Sequence, residues 1–345
     1  MKFCKFCFDD EEVQNLIINL LHSAGEGQCE CCGKNNVVLY DTGKAEDLAE
    51  SFADILEIFK EAKDGKKGDL ISILKHWNIF RSSVNDVQAL KLLKELNQDI
   101  FRQSKYLENG FLTISELEDK DFLRRNSILG SANWDEFKEN ILYKNRYHPI
   151  DRESYVGEDT VANIFSNMEM VIEKGKTLWR ARISDDTGFL PSEMGVPPFE
   201  KRTDGRTSAR GEECLYLADS EETAIKEVRA GLHDFVTVGE FKVKEDIKVV
   251  DLTMVNRLSP FMENMSVLSF AANIDILRHF EQELLKPMRR MDDNFSYIPT
   301  QYLVDTIKKL GYVGVVYSSV MNKDGTNFAL FDEKLFCCEG MKIRF

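Results

Sequence analysis

Gly205-Arg206-Thr207-Ser208-Ala209-Arg210-Gly211-Glu212-Glu213-Cys214-Leu215-Tyr216-Leu217-Ala218-Asp219-Ser220-Glu221-Glu222-Thr223-Ala224-Ile225-Lys226-Glu227-Val228 decides how the rest of the chain is read. A loop bearing two arginines and bounded by glycines runs into a short apolar strand, Leu215 to Ala218, which passes at once into a helix. Asp219 and Glu222 read as a capping pair at the start of that helix. Strand and helix in immediate succession place this half of the chain in the mixed α and β class. Glu227 comes three residues after Ala224 and one before Val228, beside the apolar stripe, whereas Lys226 and Arg229 fall on the opposite side. A carboxylate on a packed face needs a partner or a purpose. The nearest candidate partners are Arg180, Arg182 and Arg206, and a structural salt bridge accounts for the placement as well as a functional role does.

Upstream, residues 184–213 hold Gly188, Pro191, Gly195, Pro197, Pro198, Gly205 and Gly211 and almost no periodicity. The end of this stretch, Lys201 to Gly211, carries four basic residues against one acidic residue. It reads as an anion-binding loop, with a solvated loop as the bland alternative. Before it, Thr177 to Ile183 alternates as a strand, with Arg180 and Arg182 on one face and Trp179, Ala181 and Ile183 on the other. Two guanidinium groups projecting together suit a pyrophosphate or a carboxylate. Further strands are expected at 214–218, 236–243, 249–252, 313–317, 328–331 and 342–345, and helices near 158–173, 219–231, 266–286 and 299–310.

The front of the chain reads differently. Cys4-x-x-Cys7 and Cys29-x-x-Cys32, separated by 21 residues, match the tetrahedral demand of a structural zinc site. Cys4, Cys7, Cys29 and Cys32 are the expected ligands, and Cys31 competes for the fourth place. Between the pairs, Asp9 and Asp10 cap a helix whose stripe is Val13, Leu16, Ile17, Leu20 and Leu21. From about residue 45 the period stays helical: Leu48, Phe52, Ile55, Leu56 and Phe59, then Val87, Leu90, Leu93 and Leu96, then Trp134, Phe137 and Ile141. His148-Pro149 is expected to end this region. The expected organisation is therefore α+β: a zinc knuckle over 1–40, an α-helical domain over 41–155 and a mixed α/β domain over 156–345.

In the 345-residue chain, 45 Lys and Arg against 59 Asp and Glu leave a net charge of −14, which argues against broad sequence-independent binding of nucleic acid except through the zinc unit. No stretch approaches the roughly 18 apolar residues of a membrane helix. The start Met1-Lys2-Phe3-Cys4 does not read as a secretory signal. Closely paired cysteines without export fit a reducing, cytoplasmic setting.

Arg206, Tyr216 ten residues on and Glu227 eleven further resemble the signature of the RES domain family, which is named for its arginine, glutamate and serine. Leu178-Trp179-Arg180 is similar to that family's aromatic-arginine pair on the first strand. Gly314 to Ser319 followed by Gly325 to Phe331 resembles its serine and asparagine motif. Ser319, eight residues before Asn327, fits the serine position best, and Ser318 is the alternative. The resemblance covers about residues 175–335. One departure is Ser208, where many members have asparagine. The front half resembles the zinc-bearing HEPN/RES N-terminal domain. The Arg-x4-His pair of HEPN nucleases is missing among the five histidines, so ribonuclease activity does not carry over.

The resemblance implies an ADP-ribosyltransferase-like fold and NAD as the substrate. Glu227 would then offset the positive charge that develops on the ribose, while Arg180 and Arg206 hold the pyrophosphate. Tyr216 would wall the nicotinamide side, and Ser318 or Ser319 with Asn327 would hydrogen-bond ribose or phosphate. The expected function is an NAD-consuming toxin or defence effector, with a protein antitoxin or regulator as partner. The alternatives are an ADP-ribosyltransferase acting on a macromolecule and a non-catalytic zinc-containing binding module.

Overall fold

Apolar residues three and four apart build the front of the chain, and alternating ones build the back. The computed structural model describes residues 1–20, 23–62, 68–131, 133–147, 158–286 and 294–344. Leu21, His148 and Pro149 lie outside the described residues. The helices are α1 (Glu11–Ile18), α2 (Glu46–Glu57), α3 (Leu70–His76), α4 (Asp86–Leu96), α5 (Gln98–Gln103), α6 (Tyr106–Asn109), α7 (Lys120–Asn126), α8 (Trp134–Glu139), α9 (Glu158–Ser166), α10 (Glu221–Glu227), α11 (Val267–Leu285) and α12 (Ile298–Lys309). The strands are β1 (Lys2–Phe3), β2 (Glu26–Gly27), β3 (Val37–Val38), β4 (Tyr40–Asp41), β5 (Lys60–Glu61), β6 (Leu112–Thr113), β7 (Glu169–Ile172), β8 (Thr177–Ser184), β9 (Leu215–Ala218), β10 (Phe235–Val243), β11 (Ile247–Asp251), β12 (Gly314–Ser318), β13 (Thr326–Leu330) and β14 (Phe336–Arg344). None of the described helices is long and apolar enough to cross a membrane.

Residue contacts divide the chain into two units. The first takes the described residues up to 131 together with 256–275. Asp10 caps α1 by accepting from the Val13 N–H at 3.0 Å. The core of this unit is aromatic: Phe8, Phe52 and Phe80 form one cluster. Phe261 meets Phe52 edge-on at 5.1 Å and Phe270 meets Trp77 edge-on at 5.3 Å, which is why 256–275 returns to this unit.

The second unit is built on an eight-stranded mixed sheet, ordered β14-β10-β8-β9-β13-β12-β11-β7. Its pairs are antiparallel except β11 with β12. Leu178, Leu215, Leu217, Phe241, Val316, Phe328 and Leu330 form its main buried core. A second core is made of small side chains: Ala181, Ala218, Ala224, Val236 and Val238. Alanines on both sides let α10 lie close to β8 and β9. One irregularity places the site. β8 pairs with β10 over eight residues but with β9 at Trp179↔Ala218 alone, so the sheet forks between β8 and β9.

Several local expectations shift. The helix read over 158–173 stops at Ser166, and Glu169–Ile172 pairs with β11 because Met170, Val171 and Ile172 are better strand than helix formers. β14 begins at Phe336 rather than 342; its Cys-Cys-Glu-Gly start carries no strand pattern, and β10 imposes the pairing across a bulge at Glu240/Phe241. Ser220, not Asp219, caps α10, accepting from the Thr223 N–H at 3.2 Å. The 184–213 stretch is ordered by turns at Pro191–Glu193 and Phe199–Lys201 and by Arg202, which donates to the Pro197 and Gly211 carbonyls.

Candidate active site and metal centre

The open fork between β8 and β9 and the end of α10 bound a cleft of about 540 Å³, a volume that suits a small organic ligand. β8 contributes Trp179 and Arg180, the basic loop Arg206 and Thr207, β9 Tyr216, α10 Glu227, β12 Ser318 and β13 Asn327. One carboxylate oxygen of Glu227 accepts from the Ser319 hydroxyl at 2.5 Å and from the Asn327 amide at 2.8 Å. Ser319, only 7% exposed, also accepts from the backbone N–H groups of Met321 and Asn322 at 3.2 and 3.0 Å. Its lone pairs are thus taken by the turn, and its proton is left for Glu227. The partners of Glu227 are a hydroxyl and an amide rather than an arginine.

Tyr216 is 37% exposed, and its hydroxyl is the buried end. That hydroxyl lies 2.8 Å from Thr207 Oγ1 and 3.2 Å from Ser208 Oγ, and burial pushes its pKa well up, so it stays protonated. Gly205 is required here, because a Cβ at that position would come within 2.8 Å of the Tyr216 hydroxyl. The loop is fixed from α12: Thr300 donates to the Arg206 carbonyl at 2.7 Å, and Gln301 donates to the Gly205 and Ser208 carbonyls at 2.8 and 3.1 Å. The Arg206 guanidinium lies over the Tyr297 ring at 4.8 Å.

The arginine pair of β8 turns mostly inward. Arg180 donates to the Met194 and Gly195 carbonyls at 3.0 and 2.5 Å, and Arg182 to the Glu193 carbonyl at 2.5 Å while stacking over Phe189. Burial first, then the charge of Arg182, lowers Arg180 to about 10, which leaves it cationic at neutral pH. Arg180 lines the cleft with part of its donor capacity already in use.

At the other end of the chain, Cys4 and Cys7 flank one tight turn, whose Cys7 N–H donates to the Cys4 carbonyl at 3.2 Å. In the second knuckle the Cys32 N–H donates to Cys29 Sγ at 3.4 Å, and Gly33, at φ +75, closes the turn. The sulfurs of Cys4, Cys7, Cys29 and Cys32 lie within 4.8 Å of one another, with Cys4–Cys32 at 3.6 Å and Cys7–Cys29 at 3.5 Å. Tetrahedral Zn–S bonds of about 2.3 Å give sulfur separations of about 3.8 Å, so the cluster fits zinc. Cys31 is buried yet stands outside the four. Hydrogen bonding with Cys29 raises the Cys4 and Cys7 thiols, and hydrogen bonding with Cys4 and Cys7 lowers Cys29. Four thiolates would leave no open coordination position, so a metal held here would be structural.

Residues 177–343 match the family model of the RES domain. This segment, just under half of the chain, is similar to the RES domain family. No curated protein matches the sequence. Among similar solved structures is the crystal structure of the M. tuberculosis MbcT–MbcA toxin–antitoxin complex, at 16% identity, over 53% of this chain and 91% of that chain, with a TM-score of 0.32.

Within residues 177–343, the structure brings together Arg180, Arg206, Tyr216, Glu227, Ser318 and Asn327 around the cleft, with Ser319 against Glu227. Several contributors were not singled out as site residues from the sequence. Tyr317, whose hydroxyl is pushed up by burial and then by neighbouring Cys214 and Glu227, lines the cleft beside Asn327. Leu284 and Leu285 reach it from the end of α11. Tyr317 could have been found by strand alternation, since it is the residue of β12 paired with Asn327. Nothing in the sequence marks the two leucines.

Proposed function

We propose that the RES domain cleaves the bond between nicotinamide and ribose in NAD. The observation that carries this reading is the carboxylate of Glu227, held at one oxygen by Ser319 and Asn327 at the edge of a cationic cleft. As the C–N bond breaks, its electron pair leaves with nicotinamide and positive charge grows on the ribose. A fixed carboxylate stabilises that charge without reorganising. Water or inorganic phosphate then bonds to the anomeric carbon, and Glu227 orients it. Arg206 and Arg180 supply positive charge to the pyrophosphate. Tyr216 presents its ring to the cleft while its hydroxyl ties β9 to the basic loop. Ser319 positions Glu227 rather than contacting ribose; Ser318 and Asn327 face the sugar.

In this reading the chain is a toxin or defence effector that drains NAD, and a protein antitoxin or regulator restrains it. Residues 1–155 form a HEPN/RES-type N-terminal region in which Cys4, Cys7, Cys29 and Cys32 would hold zinc, which stabilises the local fold. Mass spectrometry after incubation with NAD, with and without phosphate, tests the reaction. Free nicotinamide with ADP-ribose, or with its phosphorylated product, is expected. Nicotinamide with a labelled macromolecule would indicate a transferase, and no turnover would leave a binding module.

A further inference from the structure

Thr223 and Glu227 stand four residues apart on α10, about one helical turn, and so share a face of the helix. Against that face lies the turn 319–325, which joins β12 to β13. The turn closes on itself: the Ser319 N–H donates to the Gly325 carbonyl at 2.8 Å, and the Gly325 N–H to the Asn322 carbonyl at 2.9 Å. It is fastened to α10 at two levels. At Glu227 the tie is the Ser319 hydroxyl. At Thr223 it is Asn322, whose side-chain amide donates to Thr223 Oγ1 at 2.9 Å and whose side-chain oxygen accepts from Lys226 Nζ at 3.0 Å. An ammonium group can only donate, so Lys226 fixes which end of the amide meets Thr223. Thr223 is fully buried, and the Ser220 hydroxyl lies 2.8 Å from the same Oγ1. The fit is close, since a Cβ on Gly325 would come within 2.5 Å of Thr223 Oγ1.

The effect reaches the carboxylate through the backbone. The Asn322 N–H is one of the two that hold Ser319 Oγ, at 3.0 Å, beside that of Met321 at 3.2 Å. Whatever fixes Asn322 therefore fixes the direction in which Ser319 gives its proton to Glu227. A single tie at Ser319 would let the turn swing about it, and a second tie one helical turn away removes that freedom. We infer that Asn322 is a positioning residue for Glu227, acting through Ser319 by anchoring the turn to Thr223. This rests on the reading of Glu227 as the group that faces the ribose of NAD.

The test is steady-state NAD cleavage with melting curves on the same preparations. Asn322→Ala should lower kcat about fivefold with KM within about twofold, since the substrate meets the same groups while the carboxylate is held less firmly. Thr223→Ala, which removes the other end of the bond, should copy that loss, and Thr223→Ser, which keeps the hydroxyl, should recover most of it. Because Asn322 acts through Ser319, the Ser319→Ala/Asn322→Ala double variant should be no slower than Ser319→Ala alone. Losses that multiply in the double variant, or a KM that rises as kcat falls, would overturn the inference. Native kcat in Asn322→Ala, whatever its melting temperature, would overturn it too. Glu227→Gln separates the two readings: slow cleavage there beside native kcat in Asn322→Ala removes the role of Asn322 alone, and native protein that leaves NAD intact removes both.

Discussion

Glu227 is held by neutral donors, and that determines what its removal does. Glu227→Gln keeps the volume and an acceptor for Ser319 and Asn327 but removes the negative charge. NAD cleavage should then fall on the order of a hundredfold or more in kcat, with the melting temperature nearly unchanged. A destabilised but fully active Glu227→Gln protein would end the catalytic assignment. Ser319→Ala should lower kcat about tenfold with little change in KM, since it frees the carboxylate without removing it; an equal rise in KM would place Ser319 on the substrate instead. At this scale Arg206, Tyr216 and Glu227 were singled out by the resemblance of their spacing to the RES signature, and the structure places all three around the cleft. The direction of the Ser319 hydrogen bond was not legible, because it depends on a turn whose N–H groups occupy the hydroxyl oxygen.

Elements carry two further tests. Cys29→Ser should lose zinc and Cys31→Ser should retain it, measured as metal per chain by elemental analysis; metal-free native protein would remove the site. At the cap of α1, burial raises Asp10 to about 6 from its ordinary 3.8, offset in part by the Val13 N–H and the Ser259 hydroxyl. The folded state therefore binds this proton more tightly than the unfolded chain, so stability falls as pH rises from about 4 to 6 and stays lower above. Asp10→Asn keeps the cap without the charge. It should be more stable than the native protein at pH 7.5, on the order of 2 kcal/mol, and match it near pH 4; a pH-independent difference would refute this. The Asp10 cap and the α2 stripe were readable, because caps and stripes are local; the α4 stripe was not, since Val87 is 71% exposed and α4 instead buries Ala89, Leu92 and Leu93. β7 and β14 were not, since their partners β11 and β10, far along the chain, decide their conformation.

On the scale of the whole molecule, a strongly acidic chain concentrates positive charge around one cleft. NAD affinity should accordingly weaken as salt rises, more steeply than for a neutral ligand of similar size; salt-independent binding would contradict the cationic cleft. Hydrogen exchange offers a map. NAD should slow exchange at residues 203–207, 224–229 and 317–321, and a zinc chelator should speed it within 1–41. Identical maps for the two treatments would refute the separate roles. The return of 256–275 to the first unit was invisible in the sequence, because Phe261 and Phe270 look like ordinary core aromatics until Phe52 and Trp77 are seen against them.

Neighbouring strands joined by a full ladder are held about 4.8 Å apart by their main chains, whatever their side chains. Between β8 and β9 one rung remains, and the apolar layer behind them, with Leu178 fully buried, sets the gap instead. The aperture of the cleft is therefore a property of side-chain volume, adjustable from beneath. Repacking at Leu178, a residue outside the cleft lining, can retune which ligands enter without altering a single group that meets them.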